Sequence, residues 1–319
     1  MNFIQQAYKG KNELWMFILT SVLISGVFVL NFIFYLFTSN EDMDKAYDLM
    51  KNIPSSISLI VNLVPFAILL ILLFVLVKFM HERSILSLTT SRKSVDWRRI
   101  LFSFSLITSI TIVTFGLSYY LDSSEIEIQF NPLKFAILLI ISLILFPFQI
   151  GLEEYLFRGY FMQQIGIMVK NKWFPLIFTS VFFGVAHSAN PEVAELGFIT
   201  MIFYIGTGLL LGIMTLMDEG LELALGFHFG NNLLAALLIT SDWSALKTDP
   251  IFKYTSEQAN TTALEIILPV FIVYPIILFI MAKKYNWTNW NEKLFGNVVK
   301  LPNDNYKTIE EIGENDAQS

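Results

Sequence analysis

Apolar residues in this chain come in long unbroken runs divided by short polar stretches, rather than at the spacing of a one-sided surface helix. A helix rises about 1.5 Å per residue, so roughly 20 apolar residues cross the hydrocarbon core of a bilayer. Eight stretches meet that requirement: Leu14–Phe37, about Ile57–Val77, about Leu101–Leu121, one that begins at Leu133 and continues past Pro147, Trp173–Ala189, about Leu196–Met217, Leu223–Thr240 and Ala263–Ala282. The pattern predicts an all-α, polytopic membrane protein with about eight transmembrane helices. The first run is longer than a signal-peptide core and no small-x-small cleavage site follows it, so it reads as a retained span.

The polar stretches orient these spans. Lys78, Arg83, Arg92, Lys93, Arg98 and Arg99 lie between the second and third, which places that connection in the cytoplasm by the positive-inside rule. Lys170, Lys172, Lys283 and Lys284 agree with it, while the loops expected outside are acidic (Glu41, Asp42, Asp44, Asp48; Asp122, Glu125, Glu127). The expectation is a multi-pass protein of the cell membrane with both termini cytoplasmic. The chain divides into three N-terminal spans (1–132), a core (133–240), an outer loop with the last span (241–284) and a tail (285–319). In the tail, Trp287 and Trp290 suit an interfacial anchor, and the polar stretch from Pro302 onward is expected to be disordered.

Composition adds exclusions. Of 319 residues 55% are apolar and 15% charged, against about 25% charged in soluble domains. The absence of cysteine rules out disulfides, thiolate nucleophiles, cysteine-ligated zinc and iron–sulfur clusters. No basic stripe with interleaved aromatics occurs, so no nucleic-acid partner is expected.

Against this apolar background a few polar residues stand out. Glu153, Glu154 and Arg158 interrupt the end of the fourth run. Ionisable groups at membrane depth are costly and mark paired or functional positions. Glu154 and Arg158, four apart, share a helical face and can pair, whereas Glu153 points about 100° away. The competing reading is that the cluster ends the helix at the cytoplasmic surface, since about 20 residues from Leu133 reach Leu152.

The chain has three histidines. His81, beside Glu82 and Arg83, reads as a solvated surface residue. His187 closes the fifth run, and His228 lies in the seventh, four residues before Asn232 and on the same face. Gly184, Gly226 and Gly230 would let neighbouring helices approach closely. A Glu with a His can deprotonate water, and a His with an Asn can donate hydrogen bonds to an oxyanion. Together these residues form a complete set for attack of water on an amide. Glu153, His187 and His228 could alternatively form a His₂-carboxylate zinc site, with ligands converging from separate helices because no His-Glu-x-x-His pair is present.

Three ordered motifs, Glu153-Glu154-x-x-x-Arg158 with Phe157-Arg158-Gly159, Phe183-x-x-x-His187 and His228-x-x-x-Asn232, resemble those of the CPBP family. This is the CAAX-protease and bacteriocin-processing, or ABI, family, which includes prenyl-protein endopeptidases of the Rce1 type. The resemblance covers about Leu133–Thr240. It implies a glutamate intramembrane endopeptidase without a required metal, acting on a membrane-associated protein or peptide in the bilayer. It further implies that Glu153 activates water with help from His187, and that His228 and Asn232 stabilise the oxyanion. Glu154 and Arg158 would be structural or substrate-orienting. A non-catalytic scaffold or bacteriocin-immunity protein is the second reading. A proton-coupled transporter using Glu153 and His187 is the third, although no inverted repeat is apparent.

Straight helices with these bounds would not bring Glu153, His187 and His228 together. The sequence therefore predicts either a break near Pro147, which Pro147 and Gly151 would permit, or a fifth helix that starts deeper than Trp173.

Overall fold

A computed structural model describes residues 1–38, 53–241, 244, 248–255 and 262–300. Helices occupy all the apolar runs. They are α1 (Leu14–Phe37), α2 (Ser55–Met80), the short α3 (Ile85–Thr89), α4 (Trp97–Leu121), α5 (Pro132–Val169), α6 (Trp173–Ala186), the short α7 (Pro191–Leu196), α8 (Thr200–Asp218), α9 (Glu222–Leu238), α10 (Ala263–Tyr285) and the short α11 (Trp290–Phe295). Five of them, α2, α4, α5, α8 and α10, are long and apolar enough to cross a membrane. Their outer faces carry bare apolar side chains such as Leu101, Val113 and Leu117 on α4, which only a lipid environment tolerates in such number. The chain is a multi-pass, essentially all-helical membrane protein.

Local chemistry sets several helix starts. The Asp96 side chain accepts from Arg98 N to cap α4, and Asn131 caps α5 ahead of Pro132, whose missing N–H would have had no helical partner. Three expected ends differ. α6 stops at Ala186, so His187 sits just beyond the helix. Leu196 belongs to α7, and α8 begins only at Thr200. Ile239 and Thr240 leave α9 to form a strand, β2. β2 pairs in parallel with β3 (Phe252–Tyr254), which pairs antiparallel with β1 (Ile126–Ile128). These strands cover the end of the molecule opposite the basic connection. The acidic loop around Glu41 and the tail from Pro302 lie outside the described residues.

The anticipated break at Pro147 does not occur. α5 runs through Pro147 and passes beyond Glu154 as a π-helical stretch, Tyr155–Phe161, before returning to α-helix. The charged cluster therefore lies inside a helix of 38 residues and does not end one. Nor does α6 start deeper than Trp173. The two helices form a hairpin about residues 170–172, from which Glu153 lies about 24 Å back along α5 and His187 about 21 Å along α6. The longer α5 brings the two residues to one level.

Close helix contact brings α9 to the same place. A Cβ at Gly226 would stand 2.1 Å from the Ile100 carbonyl oxygen of α4, and one at Gly208 of α8 would stand 2.8 Å from the Ser180 carbonyl oxygen of α6. Only glycine allows these backbones to approach so near. At the basic end, Arg92 binds Asp218 at 2.9 Å and Glu222 at 3.1 Å, and Arg99 also binds Asp218. Trp287 Nε1 donates to Asp218 at 3.3 Å. This network joins the ends of α4, α8 and α9. A 3₁₀ turn, Ile4–Lys9, packs under the end of α5, and Gln5 Nε2 donates to the Val299 carbonyl at 2.9 Å. The N-terminal segment and the segment after α11 thus meet on one side of the molecule.

His81 is not a solvated residue. It is fully buried. Its Nδ1–H donates to the Lys11 carbonyl at 2.9 Å, which leaves Nε2 to accept from the hydroxyls of Tyr160 at 3.0 Å and Thr20 at 3.2 Å. The ring is neutral in this arrangement. Burial, and then the nearby Arg83, lower its pKa from the ordinary 6.5, outweighing the bond to Lys11.

Candidate active site

Four helices meet around Glu153. Its Oε1 accepts from Gln149 Nε2, one turn earlier on α5, at 2.8 Å. Its Oε2 is buried and has no hydrogen-bond partner. That oxygen faces His228 Nε2 at 3.6 Å and His187 Nε2 at 4.0 Å. The structure therefore brings together the Glu153, His187 and His228 that the sequence singled out, from α5, the end of α6 and α9.

The other nitrogen of each ring fixes what Nε2 offers. His187 Nδ1–H donates to the Phe183 carbonyl at 2.7 Å, one turn back, and the ring stacks on Tyr204 with centroids 4.7 Å apart. His228 Nδ1–H donates to Glu154 Oε1 at 2.8 Å. The Nε2 of each ring is thereby the nitrogen left to face the Glu153 carboxylate oxygen. Two imidazole nitrogens and a carboxylate oxygen thus converge, an arrangement that a shared proton or a water completes.

Glu154 and Arg158 form the expected pair, with Nη1 to Oε1 at 2.9 Å and both side chains wholly buried. Arg158 Nη2 also donates to the Gly208 carbonyl at 3.1 Å, and the guanidinium lies 4.5 Å from the Phe183 ring centroid. Phe183 thus carries part of the cation as well as holding His187. A pair so enclosed needs such additional partners, because two desolvated ions rarely compensate each other alone.

Asn232, one turn from His228, donates through Nδ2 to Gln149 Oε1 at 3.2 Å. Its hydrogen bond runs to Gln149 and not to Glu153. Gln149 is one residue that sequence reasoning missed; its signal was a lone amide four residues before Glu153 in an apolar run. Tyr204 was missed as well, being one tyrosine among twelve. Burial is graded across the site. Glu153, Glu154, Arg158 and His228 are buried, whereas Gln149, His187 and Asn232 are partly exposed. Among the described residues no group of three or more His, Cys, Asp or Glu side chains is arranged to hold a metal ion.

Residues 132–234 match the family described as type II CAAX prenyl endopeptidase Rce1-like. The chain is also 29% identical over 247 residues to "Uncharacterized protein YyaK" of Bacillus subtilis (strain 168), an alignment covering 75% of this chain and 83% of that one. No solved structure matches.

Proposed function

We propose, on the premise of the Rce1-like match over residues 132–234, that the chain is an intramembrane endopeptidase cleaving a peptide bond of a membrane-associated protein or peptide. The observation that carries this reading is the unpartnered Glu153 Oε2 facing the Nε2 atoms of His228 and His187 at 3.6 and 4.0 Å. A water placed among them loses a proton to Glu153 while His187 orients it. The resulting hydroxide forms a C–O bond to the scissile carbonyl carbon, and the carbonyl electron pair moves to oxygen. Asn232 Nδ2 has a second N–H beyond the one given to Gln149 and donates it to that oxyanion. His228 donates there through an Nε2–H, its Nδ1–H being held by Glu154 Oε1 at 2.8 Å. The C–N bond then breaks as nitrogen takes the proton from Glu153, giving a carboxylic acid and an amine.

No step needs a metal in this scheme. The family description points to a prenylated C-terminal segment as the first substrate class to try. In the orientation proposed, both termini are cytoplasmic, supported by the meeting of the terminal segments on the side that bears Arg92 and Arg99. A reporter joined after Lys284 that reads extracytoplasmic would reverse it.

The test uses the full chain in lipid nanodiscs with internally quenched peptides, one ending in a prenylated cysteine motif and one unlipidated. Cleavage by the wild type and none by Glu153→Gln is expected. Equal cleavage by both, or none of either peptide by the wild type, would overturn the reading. An unchanged cellular phenotype in Glu153→Gln would favour a scaffold role.

A further inference from the structure

Gln149 bonds in two opposite senses. Its Nε2 donates to Glu153 Oε1 at 2.8 Å, and its Oε1 accepts from Asn232 Nδ2 at 3.2 Å. Both directions are forced by the carboxylate. An ionised Glu153 only accepts, so the amide must turn its NH₂ toward it. The amide oxygen then faces Asn232, which must answer with its own NH₂. Asn232 Oδ1 is left to accept from Asn231 Nδ2 at 3.3 Å. The series Asn231, Asn232, Gln149, Glu153 runs in one direction, and the charge on Glu153 sets that direction.

Two things follow for the site. With Oε1 held by Gln149, the rotation of the carboxylate is fixed and Oε2 is the oxygen aimed at His187 and His228. With its oxygen accepting from Asn231, Asn232 keeps one N–H of Nδ2 beyond the one given to Gln149. A general base and an oxyanion donor on different helices are thereby oriented by one side chain.

We infer that Gln149 is a positioning residue that couples the water-activating Glu153 to the oxyanion donor Asn232. This rests on the endopeptidase reading. It assigns work to a neutral residue outside all three motifs, four positions before the first. The titratable and charged groups around Glu153 (His187, His228, Glu154, Arg158 and Tyr204) are untouched by a change at 149, so effects on the pH profile report the lost hydrogen bonds.

The experiment compares the wild type with Gln149→Leu and Gln149→Glu, as full chains in nanodiscs, using the quenched prenylated peptide. Gln149→Leu should lower kcat by about 10²-fold, the usual scale for one lost oxyanion donor, with little change in KM. A carboxylate deprived of a charge-assisted hydrogen bond is a weaker anion, so the acid limb of the pH profile should move up by about 1 unit. Gln149→Glu keeps the acceptor for Asn232 but sets a second anion beside Glu153, and should move that limb further. A fall in kcat with an unmoved limb would reduce Gln149 to a packing role and overturn the inference, as would an unchanged kcat.

A second measurement is independent of turnover. The chain's three histidines allow side-chain nitrogen NMR with labelled histidine. Gln149→Leu should shift the resonances of His187 and His228 and leave His81 in place. If neither site histidine moves, the inference fails whatever the activity. If both move while the wild type cleaves nothing, the endopeptidase reading fails, and with it the catalytic coupling, leaving only the hold of Gln149 on the Glu153 carboxylate.

Discussion

His228 Nδ1 donates to Glu154 Oε1 at 2.8 Å, tying α9 to α5 within the helical core. The same oxygen accepts from Arg158 at 2.9 Å. Glu154 therefore does two jobs at once: it neutralises a buried guanidinium and fixes the His228 tautomer whose Nε2 faces Glu153.

Glu154→Ala should accordingly cost stability before anything else. It leaves Arg158 buried without its counter-ion, a loss of about 3–5 kcal/mol for comparable buried pairs. Thermal unfolding of the detergent-solubilised protein should show a clear drop in Tm, with the Glu154→Ala/Arg158→Leu double variant recovering part of it. A Glu154→Ala protein as stable as the wild type would mean that the guanidinium finds water, and the enclosed pair would lose its structural role.

Stability should also depend on pH through His81. Its pKa in the folded protein is lowered below the ordinary 6.5, chiefly by burial. Below 6.5 the unfolded chain binds a proton that the folded chain resists, so the unfolded state gains. The stabilisation is present in full above about pH 6.5 and is lost as pH falls through the lower folded value. Melting curves between pH 8 and pH 5 should show Tm falling on the acid side. His81→Gln, which keeps a donor and an acceptor without the charge, should flatten that fall. An equal acid loss in the variant would assign the effect to other groups.

Gly226→Ala tests the helix contact that brings His228 to the site. The added Cβ would meet the Ile100 carbonyl oxygen at 2.1 Å, a backbone atom that cannot swing aside. Overpacking of this kind typically costs about 1–3 kcal/mol, and here it would push α9 from α4. Lower Tm together with weaker activity is expected; normal values for both would show that the helices separate freely.

The parts of this site that sequence made legible are those whose signal is local. Glu153, Glu154 and Arg158 stand out because ions are rare in an apolar run, and their spacing alone gives the pair at 2.9 Å. Gln149 carries no charge and so raises no such alarm; its role depends on Asn232, 83 residues away in sequence. His81 illustrates the opposite error. Charged neighbours made it look solvated, but Lys11, Thr20 and Tyr160 enclose it from three other segments. The convergence of Glu153 with His187 was obscured because helix length was judged by bilayer thickness. α5 continues through the charged motif to Val169, and Leu156, Phe157, Tyr160 and Phe161 are buried against the rest of the core. Protein contacts, not lipid, support that second half, and no hydropathy count reveals them.

Proposed catalysis makes the sharpest demand. Glu153→Gln preserves shape and, through its amide oxygen, the bond from Gln149, but it has no basicity. Turnover should fall by at least the 10²- to 10⁴-fold typical of a lost general base, with Tm close to the wild-type value. Asn232→Ala removes one donor and should leave a residual rate, lower by about 10²- to 10³-fold. Combining the two should cost little more than Glu153→Gln alone, since residues acting on one step are far from additive. Activity should survive dialysis against a chelator, because water activation is assigned to Glu153 and His187. Loss on chelation with recovery on adding Zn²⁺ would transfer that role to a metal held by Glu153, His187 and His228. In that case Glu153→Gln would also weaken zinc binding, whereas a general base would leave it unchanged. Measuring turnover and bound zinc on the same Glu153→Gln preparation therefore decides between the two chemistries.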